Sequence, residues 1–262
     1  MNPPDPPLLD FHNLQVCRGT RPVLDGFSLR IHSGEHVAIL GPNGCGKSTL
    51  IKAITRECYP VIRSGSSLKI LGEDNWNVFE LRSHLGIVSN DLMSWCTGEA
   101  LGRDVVLSGF FSSNDVYPNF LVTAEHLKAA GHALARLEIS HLADRPVCEM
   151  SSGEARRVLI ARALVHHPAA LLFDEPSNSL DWFARRTLRQ TMSALAQSGI
   201  GIVLVTHELS DIIPEVERVV LMAKGRIVAD GNKSELLQSK VLSKVFALDV
   251  EVTEKDGYYH LW

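Results

Sequence analysis

His36-Val37-Ala38-Ile39-Leu40, followed by Gly41-Pro42-Asn43-Gly44-Cys45-Gly46-Lys47-Ser48-Thr49, is the stretch that decides the fold. The first five residues read as a buried strand, and the next nine fit the pattern G-x-x-x-x-G-K-S/T of a phosphate-binding loop. Such a loop has a physical mechanism. Glycines let successive backbone N–H groups curl around a polyphosphate, Lys47 reaches its outer phosphates, and the Ser48 hydroxyl faces Mg²⁺. Thr49-Leu50-Ile51-Lys52-Ala53-Ile54 continues as a helix whose positive end points at the phosphates.

Working outward, Leu68 to Leu71, Leu85 to Val88, Ala169 to Phe173 and Gly201 to Val205 are short, strongly apolar runs that read as strands. The last two, with Val37 to Leu40, suit a parallel sheet buried on both faces. Leu159 to Val165 and Trp182 to Ala196 read as helices between them, the alternation of an α/β fold. From about Asp91 to Met150 no buried strand is expected. Glu125 to Leu137 has helical spacing there, so a helical insertion is predicted. Arg218 to Met222 and Arg226 to Ala229, joined by Ala223-Lys224-Gly225, predict a hairpin.

The bulk properties narrow the class. A chain of 262 residues that is 45% hydrophobic can build a substantial core. Its net charge of −4 argues against a general nucleic-acid binder, and no nucleic-acid partner is expected. The five cysteines, Cys17, Cys45, Cys58, Cys96 and Cys148, contain no C-x-x-C pair, so free thiols in a reducing compartment are expected. The proline-rich start, Met1 to Pro7, does not read as a signal peptide, and no run approaches the ~20 apolar residues of a membrane span. The expectation is a cytoplasmic protein that reaches the membrane only through a partner.

Leu171-Leu172-Phe173-Asp174-Glu175-Pro176 supplies the chemistry that a phosphate loop needs. Asp174 ends a buried strand and is the expected Mg²⁺ ligand, directly or through water. Glu175 is the natural group to orient and deprotonate a water for attack on the terminal phosphate. Val203-Leu204-Val205-Thr206-His207-Glu208 is a second buried strand ending in a histidine suited to hydrogen-bond that phosphate. His166-His167 before Pro168 marks a helix end.

This order of motifs, from Phe11 to Leu237, resembles the ATP-binding subunits of ATP-binding-cassette (ABC) transporters. Met150-Ser151-Ser152-Gly153-Glu154 matches the family signature, usually Leu-Ser-Gly-Gly-Gln, and Ser151 to Glu154 is also a capping box. Asn178-Ser179-Leu180-Asp181 matches the loop that crosses between subunits. The resemblance implies an α/β P-loop NTPase (RecA-like) core with a mostly parallel sheet, a helical subdomain inserted at about 91–165 and a small antiparallel β subdomain. Residues 1–9 would be a proline-rich tail, 10–240 the ATPase domain, and 241–262 a short extension.

It further implies ATP and Mg²⁺ as ligands. ATP would be held by the loop from Gly41 to Thr49 and by the Ser151 to Glu154 signature and Asp181 of a second ABC ATPase subunit, in a homodimer closed around two ATPs. Ser48, Asp174 and Asn90 would serve the metal, and Lys47, Glu175 and His207 the hydrolysis. Three positions depart from the pattern. Arg18 stands where an aromatic usually stacks on adenine, a role a guanidinium plane can fill. Asn90 stands where a glutamine usually senses Mg²⁺ and the permease, and Ser152 replaces a signature glycine. Because Cys45 lies inside the loop, a thiol reagent is expected to inhibit and ATP to protect.

The tail, Leu242 to Val252 with Tyr258 to Trp262, and the stretch Arg103 to Phe111 resemble ATPases of metal-chelate, siderophore and molybdate-type importers. The implied partners are transmembrane permease subunits and a solute-binding protein. The rival is a soluble ATP-gated switch, which typically carries two cassettes or a long coiled coil. This sequence has one cassette and no sustained heptads.

Overall fold

The computed structural model describes residues 6–89, 99–113 and 115–262. It divides into two compact units, one formed by the chain up to Val78 with Gly201–Trp262 and the other by Phe79–Ile200.

The first unit opens with the two longest strands, β1 (Leu9–Arg18) and β2 (Arg21–Ile31), paired antiparallel. Their apolar alternation is broken in the middle. Leu9 and Phe11 are buried, then Leu14 and Val16, and the change of phase coincides with a register shift at Asn13, whose φ is 47°. A bulge of this kind lets a strand keep one buried face while its sequence loses strict period two. Strand β3 (His36–Leu40) follows, then helix α1 (Lys47–Ile54) and strand β4 (Ser67–Ile70), which adds antiparallel to β1.

The second unit begins at helix α2 (Val78–His84) and strand β5 (Leu85–Val88). Helices α3 (Gly102–Ser108), α4 (Ala124–Arg136) and α5 (Ser152–Leu164) pack together, the helical block predicted from the spacing of Glu125 to Leu137. Strand β6 (Ala170–Asp174) runs parallel to β5 with Val88 opposite Phe173, and helix α6 (Trp182–Gln197) closes the unit. Gly86 is needed in β5, because a Cβ there would stand 2.7 Å from the Ala163 carbonyl oxygen. His166 lies past the end of α5, where its Nε2 is 3.2 Å from the Gly109 carbonyl and its ring meets Phe110 edge-on. Burial holds its pKa below the ordinary histidine value.

The chain then returns to the first unit. Strand β7 (Gly201–Thr206) and strand β8 (Arg218–Ala223) flank β3, both parallel to it, and strand β9 (Arg226–Asn232) pairs antiparallel with β8. Val37, Ala38, Ile39 and Leu40 are completely buried between these neighbours. Each large aliphatic side chain so placed contributes about 1.5–3 kcal/mol. The β8–β9 turn uses Lys224 at φ 49° and Gly225 at φ 76°, the left-handed pair that a two-residue hairpin requires. Helices α7 (Lys233–Leu236) and α8 (Ser239–Phe246) lead to a terminal hairpin of β10 (Val252–Lys255) and β11 (Tyr258–Leu261). Among the described residues no helix is long and apolar enough to cross a membrane.

Candidate functional site

The glycine-rich loop leaves β3 at Gly41 and enters α1 at Lys47, and each of its glycines has a local cause. A Cβ on Gly41 would lie 2.4 Å from the Met222 carbonyl oxygen, so only glycine lets the strand end pass β8. Gly44 and Gly46 adopt φ of 78° and 113°, which L side chains rarely tolerate. Gly44 faces open space, with nothing within 4 Å of a notional Cβ. Helix α1 begins on Gly46 without any side-chain cap, so its positive end offers N–H groups to an outside acceptor. The loop therefore fits a chain of phosphates by its own geometry.

Lys47 is 5% exposed, and its ammonium donates to the carbonyl oxygens of Gly41 at 2.7 Å and Pro42 at 3.4 Å. Ser48 is exposed beside it, while Thr49 is buried. The β8–β9 turn braces the loop from behind, since Gly225 N–H donates to the Cys45 carbonyl at 2.8 Å. Cys45 itself is only 3% exposed. Such burial slows attack on the thiol by a reagent from solvent. Mass mapping after brief treatment with a maleimide should show Cys148, which is exposed, modified well before Cys45. Equal labelling of the two would mean that the loop opens far more than its packing allows.

Thr206 lies opposite Leu40 in the parallel β3–β7 pair, so the loop and His207 leave neighbouring strands at the same edge. Both reach one cleft of about 400 Å³, bordered by Pro42, Asn43 and His207. The turn that aims His207 is well fixed. The Thr206 hydroxyl donates to the buried Asp211 carboxylate at 3.0 Å and accepts from Glu208 N–H at 3.0 Å. His207 Nε2 stands 3.7 Å from Glu208 Oε1. Arg18 is exposed at the end of β1, paired with Arg21 across the hairpin.

In the second unit Asp174 ends β6 and is half-buried. Glu175 follows in the left-handed region at φ 45°, a strained conformation for a non-glycine residue. Asn178 Nδ2 donates to Glu175 Oε2 at 2.7 Å, and Asn178 N–H donates to the Glu175 carbonyl at 3.2 Å. This grip on the carboxylate was not foreseen in the sequence, although the three-residue spacing within a turn was the available signal.

The capping box predicted for the signature is present. Ser151 Oγ accepts from Glu154 N–H at 3.3 Å, and Glu154 Oε2 accepts from Ser151 N–H at 2.8 Å. That backbone donor, followed by the Ser151 hydroxyl and Arg145, holds the Glu154 carboxyl below its ordinary pKa. Ser152 is exposed in the first turn of α5, and Gly153 faces Ala184, whose Cβ would be 2.7 Å from an added Cβ. Asp181 caps α6 by accepting from Ala184 N–H at 2.8 Å. Ser151, Gly153, Glu154 and Asp181 share a cavity of about 260 Å³. Asn90 lies outside the described residues.

Comparison with known proteins gives the family. The ABC transporter family profile matches residues 24–178. The hemin import ATP-binding protein HmuV of Streptomyces coelicolor is 31% identical over 246 residues, covering 91% of this chain and 83% of that protein. The spermidine/putrescine import ATP-binding protein PotA of Haemophilus influenzae is 30% identical over 242 residues, covering 90% of this chain. The chain spans only 61% of the length of that relative. Among solved structures, cbiO1 of Clostridium perfringens, part of the ABC transporter complex cbiONQ, superposes with a TM-score of 0.76 at 28% identity, covering 92% of this chain and 94% of that one. The ATP-binding cassette MJ0796, solved as a dimer in a post-hydrolysis state with ADP and phosphate, gives 0.69 at 25% identity, covering 86% and 98%. With its phosphate loop, its capped signature helix and this span of likeness, the chain belongs to the ABC transporter family, among its ATP-binding subunits.

Proposed function

We propose that this protein binds ATP with Mg²⁺, hydrolyses it as one of two paired subunits, and drives a membrane permease that imports a metal chelate or metal oxyanion. The observation that carries the proposal is the edge of the first unit. There a loop shaped for phosphates and a histidine on the neighbouring strand open into one cleft. The import direction is supported by the names of the hemin and polyamine relatives, and a metal-chelate cargo by the hemin relative alone.

In this reading the loop N–H groups and Lys47 bind the polyphosphate and offset its charge. As the family resemblance implies, Ser48, Asp174 and Asn90 would hold Mg²⁺, which would neutralise charge on the phosphate oxygens. Glu175 accepts a proton from water as the water oxygen bonds to the terminal phosphorus and the bond to the bridging oxygen breaks. His207 donates to the terminal phosphoryl oxygens. Ser151 and the first N–H groups of α5, on the other subunit, complete the anion site. The pairing gives the motor its stroke, and the permease follows by rigid-body motion. A site on the membrane's cytoplasmic face, reached through the permease, goes with this role.

Phosphate release measured across protein concentrations tests the reading. With Mg²⁺ and saturating ATP, activity per mole of chain should rise with concentration and then level off, as pairing becomes complete. Activity per mole that stays constant from nanomolar to micromolar chain would remove the paired mechanism. Activity that persists with the metal chelated would remove the magnesium ligands.

A further inference from the structure

The chain directly after His207 is held from two directions. Leu209–Asp211 form one tight turn, and Leu209, Asp211, Ile212 and Ile213 are each at most 2% exposed. The Asp211 carboxylate accepts the Thr206 hydroxyl, whose oxygen accepts Glu208 N–H, so two hydrogen bonds bracket His207. Such bonds are strongest where water is kept out. The terminal hairpin lies over this turn: β11 packs against Leu209–Asp211, and His260 and Leu261 border the cleft beside His207. A two-stranded hairpin is marginal by itself in water, so β10 and β11 need an anchor. Gly257, at φ 79°, brings the hairpin's own bend against Pro214, where an added Cβ would stand 3.2 Å from Pro214 Cβ. Lys233 donates to the Pro214 carbonyl at 2.9 Å and to the Ile213 carbonyl at 3.5 Å, and its ammonium lies 5.8 Å from the centre of the Tyr259 ring. That ring thereby joins β11 to the carbonyls that follow the His207 turn. At the other end Glu251 and Trp262 exchange backbone hydrogen bonds of 3.1 and 2.9 Å, and Val252 N–H donates to Ser239 Oγ at 3.0 Å.

We infer that the terminal hairpin is a positioning device for His207, anchored by Tyr259 and Lys233, which keeps the Thr206–Asp211 bond dry and holds the imidazole toward the terminal phosphoryl group. His207 stands just past the end of β7, so the sheet does not fix its direction, and the packing of the turn behind it does. All of these groups belong to the first unit, so the arrangement is complete within it. The inference rests on the role of His207 proposed above and adds the element on which that role depends. Its consequence is selective. ADP lacks the terminal phosphoryl group, so a displaced imidazole costs affinity for ATP and leaves ADP held by the loop as before.

The test is competition of ATP and of ADP against a fluorescent ATP analogue, with Mg²⁺, on the full chain. Every chain carries Glu175→Gln so that ATP is not consumed, and is dilute enough to remain single. His207→Ala should lower the preference for ATP over ADP by about tenfold, the loss expected of one hydrogen bond to a charged group. Tyr259→Ala should lower it by about threefold or more with ADP affinity unchanged, as should Gly257→Val, which forces a side chain into the bend against Pro214. Tyr259→Phe keeps the ring and should retain the native preference. In the His207→Ala background the hairpin substitutions should cost nothing further, because both act through one imidazole. Hairpin variants that keep the native preference, that weaken ATP and ADP alike, or that add their full effect to His207→Ala overturn the inference and leave the role of His207 standing. A native preference in His207→Ala itself overturns that role and the inference with it.

Discussion

Glu175→Gln will bind ATP and pair as the native chain does, but will release phosphate about 10²–10⁴-fold more slowly, the usual worth of a general base. The geometry isolates the proton transfer from everything else. Glu175 sits at φ 45°, and its Oε2 accepts from Asn178 Nδ2 at 2.7 Å. A glutamine amide has the same length, and its oxygen accepts the same hydrogen bond, so the strained backbone and the turn to Asp181 are retained. What disappears is a group able to take the proton from water. Steady-state phosphate release, together with equilibrium binding of a fluorescent ATP analogue, separates the two effects. Near-native turnover with native binding would move the base elsewhere. Asn178→Ala should produce a smaller fall in turnover, because it removes the orienting bond and leaves the carboxylate in place.

The phosphate loop was legible in the sequence because its constraints are local. Gly41, Gly44 and Gly46 each answer a close approach or a positive φ, and Lys47 follows at a fixed spacing. The buried strands β3, β5, β6 and β7 were legible for a similar reason, as each is an unbroken apolar run. The capping box at Ser151 was also readable, since its two hydrogen bonds span only three residues. The strands β1 and β2 hid behind their bulge. Phe11 and Leu14 face the same core from positions of opposite parity, so alternation counts fail across Asn13. The burial of Cys45 was equally hidden, since its own neighbours do not announce it and the turn that bonds its carbonyl, at Gly225, lies about 180 residues away in sequence. The cleft beside His207 combines three distant segments, and no local pattern in Phe246, Leu248 or Leu261 announces it.

Lys47→Ala should abolish useful nucleotide binding, and the reason lies in how the ammonium is held. At 5% exposure it is shielded from water, with Gly41 and Pro42 carbonyl oxygens among its partners. Those acceptors are neutral, so a phosphate reaching the loop offers the same cation a charged one and draws it outward. Each hydrogen bond between a charged group and its partner contributes about 1.5–3 kcal/mol. Losing one weakens binding roughly tenfold to 150-fold, and losing two weakens it by the square of that factor. A second effect acts on the empty protein, since alanine leaves the Gly41 carbonyl without its 2.7 Å donor. Lys47→Met distinguishes the two, because it restores the packed length without the charge. Titration of both variants with the fluorescent analogue, beside their thermal melting, gives the decision. Weak binding in both with native melting of the methionine variant assigns the loss to the missing charge. Native affinity in the methionine variant would show that the loop N–H groups hold the phosphates alone, and Lys47 would then serve only to shape the loop.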